Sequence, residues 1–158
     1  MNAAHLHIIL VHLPIVLVPT ATFVLLFGLI KKQGSVTHVA LSLFVAASLF
    51  AIPAFLIGED AEEMIEHLPG ISEDTIEEHA EAADTAFWLT LVVGGTAMCG
   101  LVLRKRVPQL TQATLKVLAV AGALTSASLA HTAYEGGKIR HPEAYDSATT
   151  NERAEEHE

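Results

Sequence analysis

The sequence predicts an all-α fold, a transmembrane up-down four-helix bundle with an acidic outer loop between its second and third helices. Three observations carry this. Apolar residues make up 51% of the 158 positions and gather in four runs. Each run is about the 20 residues that a helix needs to cross the hydrocarbon of a bilayer. Basic residues sit in the connections after runs one and three, whereas residues 59–84 between runs two and three hold eleven Asp or Glu and no Lys or Arg. Because short loops rich in Lys and Arg stay on the cytoplasmic side, Lys31-Lys32 and Arg104 to Arg106 face inward, and both termini with the acidic loop face outward.

The first run, about 8–30, contains Pro14 and Pro19. A proline removes a backbone donor and crowds the preceding turn, so this helix either begins near Leu13 or bends there. In both cases His12 lies at its outer end. The leader "MNAAHLH" has no basic region and no cleavage site follows the run, so it reads as a retained helix rather than a signal peptide. The second run, about 36–57, carries Pro53 about one turn from its outer end, which suggests a bend.

In the acidic segment, Met64, Ile65 and Leu68 stand at helical spacing among carboxylates, as in a short helix on the membrane surface. Pro69-Gly70 marks a turn, and Ser72 with Asp74 offers a cap for the next helix. That helix, about 75–103, starts in water and enters the membrane near Ala82, with His79 at headgroup level. Its single cysteine, Cys99, excludes an intramolecular disulfide and reads as a packing residue. The fourth run, about 113–135, is rich in Ala, Ser and Gly, a composition that lets membrane helices approach closely. Gly136-Gly137 then reads as a helix stop. The domain spans 1–143, and 144–158 form a polar tail expected to be disordered.

The chain carries nine histidines, and this topology places all but His38 on the outer side. His5, His7, His67 and His157 read as interfacial residues in contact with water or headgroups. His12, His79 and His131 each end a different helix at similar depth, and His141 can fold over them if the Gly-Gly pair turns the chain. Ionisable residues at such positions are costly unless they serve a purpose. Imidazoles on opposite faces of a porphyrin make a low-spin haem suited to electron transfer. Helices one and three of a four-helix bundle lie on a diagonal, so His12 and His79 form the preferred axial pair, with His131 and His141 as alternates or a second pair. Lys138 and Arg140 are the cations available for the propionates. A bare copper, zinc or iron site that adds Glu66, Glu78, Glu81 or Glu143 is the competing chemistry.

The stretches "VHLPI" at 11–15, "EEHAEAAD" at 77–84 and "GGKIRHPE" at 136–143 together resemble a family of four-helix bacterial membrane proteins, a domain of unknown function with a VHFPI-like opening and a GGxIRHxE-like close. The resemblance covers nearly the whole chain and places His12, Pro14, Gly136, Gly137, Arg140, His141 and Glu143 at motif positions. Leu13 stands where an aromatic is common. The family has no settled activity, so it implies fold and topology.

The expectation is a small haem b protein with one or two haems, passing electrons at the outer face of a bacterial inner membrane, as an electron-transfer subunit of a respiratory complex rather than a stand-alone enzyme. Its acidic loop suits a basic soluble cytochrome or a larger complex. The alternatives are a cofactor-free structural or assembly subunit and the transition-metal site. The chain has no internal repeat, phosphate-binding loop or basic nucleic-acid patch, and no base beside a serine or the cysteine for nucleophilic catalysis.

Overall fold

The computed structural model describes residues 2–68, 71–103 and 108–141, with 108–111 described by backbone alone. Pro69-Gly70, Arg104 to Arg106, Glu143, the 144–158 tail and its His157 lie outside the described residues. Five helices follow one another: α1 (Ala3–Ile30), α2 (Gly34–Leu56), α3 (Gly58–Glu63), α4 (Glu73–Leu103) and α5 (Pro108–Arg140). All but the short α3 are long and apolar enough to cross a membrane. No strand occurs among the described residues.

Packing runs α1 to α2, α2 to α4, α4 to α5 and α5 back to α1, while α3 lies against the end of α1 that carries His7. The helices therefore form an up-down bundle in which α1 faces α4, and α2 faces α5, across the diagonals. Each helix gives one stripe to the interior, at spacings set by the helical repeat. On α1 it is Pro14, Val18, Ala21, Leu25 and Gly28, and on α4 it is Ile76, Ala82, Ala86, Thr90, Val93 and Ala97. Outside the stripes large apolar residues such as Phe23, Phe27, Leu49, Val92 and Val120 are exposed, as lipid-facing positions should be.

With lipid outside and apolar side chains inside, little hydrophobic drive brings the helices together, and close van der Waals contact does that work. Small residues supply it. A Cβ on Gly94 would lie 2.3 Å from the Ser48 Cβ, and one on Gly122 would lie 2.9 Å from the Phe44 ring. Phe44 thus reaches from α2 across the diagonal to α5. The buried threonines keep their hydroxyls satisfied within their own helices, Thr90 donating to the Ala86 carbonyl at 2.7 Å and Thr125 to Ala121 at 2.8 Å.

Four sequence expectations change. α1 starts at Ala3, ahead of the expected start near residue 8, and continues through both prolines, so of the two readings the start near Leu13 falls and His12 lies more than two turns inside the helix. The surface helix in the acidic segment is only α3, with turns over 64–67. Cys99 is exposed on α4 instead of packing in the core. α5 passes through Gly136-Gly137 to Arg140, so the glycines are helical and do not turn the chain.

Adjacent glycines on α4 separate packing from propensity. Gly94→Ala should destabilise the bundle by about 1–3 kcal/mol, the usual cost of overpacking. Gly95, which has nothing within 4 Å of an added Cβ, should tolerate alanine or gain about 0.5–1 kcal/mol from helix propensity. Reversible unfolding in mixed micelles, followed by circular dichroism, measures both.

Candidate functional site

The inward stripes become polar at the end of the bundle nearest α3. His7 stands seven residues before Pro14, nearly two full turns, and so shares its inward face. Its ring is half-buried and its Nδ1–H donates to the Ala54 carbonyl at the end of α2, at 2.9 Å. Gly58, at the start of α3, lies against the same ring. His79 occupies the equivalent level on α4. It is half-buried, and its Nδ1–H donates to the Thr132 carbonyl of α5 at 3.0 Å. The Thr132 hydroxyl donates back to the Ala82 carbonyl at 3.0 Å, so two reciprocal bonds join α4 to α5 at this point. His7 and His79 are near enough to interact electrostatically.

Gly136 explains why the helix keeps a glycine there. A Cβ at this position would come within 3.1 Å of the His79 ring, so the glycine makes room for the imidazole instead of ending the helix. A carbonyl only accepts hydrogen bonds, so Nδ1 carries the proton in both rings. The neutral form then presents its lone pair at Nε2, the orientation that metal-ligating histidines adopt when a carbonyl holds the other nitrogen.

The other histidines lie elsewhere. His12 is five residues beyond His7, about 140° further round the helix. It is exposed, and its Nδ1–H is held by the Ile8 carbonyl of its own turn. The His131 side chain is 65% exposed, 3.7 Å from a Glu135 carboxylate oxygen. His141 is exposed at the end of α5, where its N–H donates to the Gly137 carbonyl. Among the described residues, no three of the His, Cys, Asp and Glu side chains are grouped so as to hold a metal ion.

A charged network stands beside His79. Glu135 is 95% buried, at 5% exposure, on α5. Lys138 Nζ lies 2.6 Å from its Oε2 and 3.3 Å from Glu78 Oε2 on α4. The shorter contact gives the buried Oε2 its partner, the Lys138 ammonium. The Lys138 ammonium also lies 5.1 Å from the centre of the Tyr134 ring. With two carboxylates already on it, Lys138 is committed to this network, while Arg140 stays exposed.

Sequence reasoning picked out His79 and left His7 among the interfacial histidines. The signal was present: His7, Pro14, Ala21 and Gly28 recur every seven residues, which defines one helix face. Glu135 could not be found in this way, because its burial depends on how α5 continues past the apolar run.

The network makes a specific prediction about stability. Lys138→Met should destabilise the bundle by stranding the buried Glu135 carboxylate, and adding Glu135→Gln should recover part of the loss. Unfolding of the two single variants and the double variant closes the cycle, and additive effects would show that the contact carries no coupling.

Neither the curated proteins nor the solved structures contain a match to the chain. A family model does match, over residues 3–143, and its description is a predicted membrane protein, DUF2231. With four candidate spans, an all-helical fold and a family match over nearly its whole length, the chain is a multi-pass membrane protein that belongs to the DUF2231 family.

Proposed function

We propose that this protein binds haem b at the outer end of the bundle and carries electrons at the outer face of a bacterial inner membrane, as a subunit of a respiratory complex. The observation that carries the proposal is the pair of inward imidazoles on the diagonal helices α1 and α4. Each has its Nδ1 proton committed to a main-chain carbonyl and its Nε2 open for iron. In this reading His7 and His79 would hold the iron, and His12, His131 and His141, which are exposed, would not. The group would supply one-electron chemistry, and the carbonyls that hold the two Nδ1 protons would orient the imidazoles toward it. The outward orientation rests on Lys31 and Lys32 between α1 and α2, against the acidic residues at the opposite end of the bundle. Those carboxylates offer complementary charge to a basic soluble electron-transfer partner.

A second reading, a cofactor-free assembly subunit, has one observation in its favour. The Nδ1 protons of His7 and His79 both have acceptors and the stripes beneath them are tightly packed, so the fold closes on its own.

Protein made with ample haem and purified in mild detergent separates the two. A reduced-minus-oxidised spectrum should show a b-type band that His7→Ala or His79→Ala abolishes or converts to a high-spin form, while His12→Ala, His131→Ala and His141→Ala keep it. A colourless preparation that co-migrates with a partner would support the second reading and end the first.

A further inference from the structure

His79 meets α5 at two places on one face of that helix. Thr132 and Gly136 are four residues apart, a little over one turn, so they stand one above the other. The Thr132 carbonyl accepts the Nδ1–H of His79 at 3.0 Å, and a Cβ added to Gly136 would stand 3.1 Å from Cε1 and 3.2 Å from Nδ1 of the same ring. Carbon atoms in ordinary contact are about 3.5–4.0 Å apart, so the imidazole has closed on the glycine backbone and leaves no room for a methyl group. On α4, Ala82 comes three residues after His79 and shares its face. Its carbonyl lies 3.0 Å from the Thr132 hydroxyl.

A hydroxyl has one proton to give, and two carbonyls compete for that of Thr132: Ala82 across the interface at 3.0 Å, and Ser128 one turn back on α5 at 3.1 Å. Donation to Ser128 would make Thr132 one more helix hydroxyl satisfied at home, like Thr90 and Thr125. Donation to Ala82 ties the α5 backbone that holds the imidazole to the α4 backbone that carries it. His79, Ala82 and Thr132 then close a loop through two hydrogen bonds, and sliding one helix along the other breaks both. The glycine beside the other imidazole differs. A Cβ on Gly58 would stand 3.5 Å from the His7 ring, an ordinary contact that leaves the ring where it is.

We propose that Thr132 and Gly136 are positioning residues for His79. Thr132 fixes the Nδ1–H tautomer and the register of α5 against α4, and Gly136 sets how closely the ring lies on α5. Because Nδ1 is anchored to α5, the lone pair of Nε2 is aimed away from that helix. What Nε2 binds rests on the haem reading above, whereas how the ring is held rests on α4 and α5 alone. Partners that anchor the second nitrogen of a metal-binding histidine are worth roughly 10- to 100-fold in affinity.

The test compares Thr132→Val, which keeps the shape of the side chain and loses the hydroxyl, Thr132→Ser, which restores it, and Gly136→Ala, with Gly58→Ala as the control at the other imidazole. In the full chain in micelles without haem, nitrogen-detected magnetic resonance reads the His79 tautomer and the exchange of its Nδ1 proton. Exchange should quicken about five- to tenfold in Thr132→Val, the ratio that one hydrogen bond of modest net strength gives, and return to the wild-type rate in Thr132→Ser. It should quicken also in Gly136→Ala, with a shift of the His79 ring resonances, while Gly58→Ala leaves His7 unchanged. In protein supplied with haem, Thr132→Val and Gly136→Ala should hold it about 10- to 100-fold less tightly than the wild type, and Thr132→Ser should not. Unchanged exchange at His79 in a folded Thr132→Val or Gly136→Ala variant, no recovery in Thr132→Ser, or wild-type haem affinity in both weakened variants would each overturn the proposal. If Thr132→Val does not fold, Gly136→Ala decides. A wild-type protein that takes up no haem ends the haem reading, and the exchange measurements still decide this one.

Discussion

A membrane helix has one face for its partners, and whatever stands on that face at the end of the bundle is committed to the interior. This constraint organises the whole chain. In the middle of the bundle the inward stripes are small or apolar, because the helices are held by close contact rather than by exclusion of water. At the end nearest α3 the same stripes carry His7 on α1 and His79 on α4, and α5 answers with Thr132 and Gly136. An imidazole placed there must find an acceptor inside the protein, and main-chain carbonyls of the neighbouring helices supply it, Ala54 in the last turn of α2 and Thr132 within α5.

The two polar features at this end of the bundle differ in chemistry. The imidazole pair faces the bundle axis, each ring with one nitrogen held by a main-chain carbonyl. The Glu78, Glu135 and Lys138 network is charged and faces the surface between α4 and α5. Glu135 joins them, since it also interacts electrostatically with His79. A carboxylate buried beside an ammonium is costly to place and more costly to leave alone, so Glu135 and Lys138 stand or fall as a pair.

Much of this was legible in the sequence. Length, hydropathy and the distribution of Lys and Arg were enough for four spans and an up-down bundle, because each depends on local composition. The start of α4 near Asp74 was marked by its cap signals. What was misread depended on neighbours. Gly136-Gly137 has the signature of a helix stop, yet it is helical because the His79 ring fills the space a side chain would need. Pro14 and Pro19 left open a helix start near Leu13 or a helix continuing through them, and α1 runs through both, as membrane helices can when the surrounding bundle compensates the lost bonds. His12 drew attention as part of a motif, whereas its heptad neighbour His7 holds the inward position. Tracing the seven-residue recurrence through the histidines would have separated the two.

The central claim is that His7 and His79 are fixed, inward imidazoles at one end of the bundle. Nitrogen-detected magnetic resonance of histidine-labelled protein in micelles, with each ring assigned by single substitution, tests it directly. The account predicts that His7 and His79 hold the Nδ1–H tautomer with slow proton exchange, while His131 averages between tautomers and exchanges with water. Rapid averaging at His7 and His79, indistinguishable from His131, would contradict it.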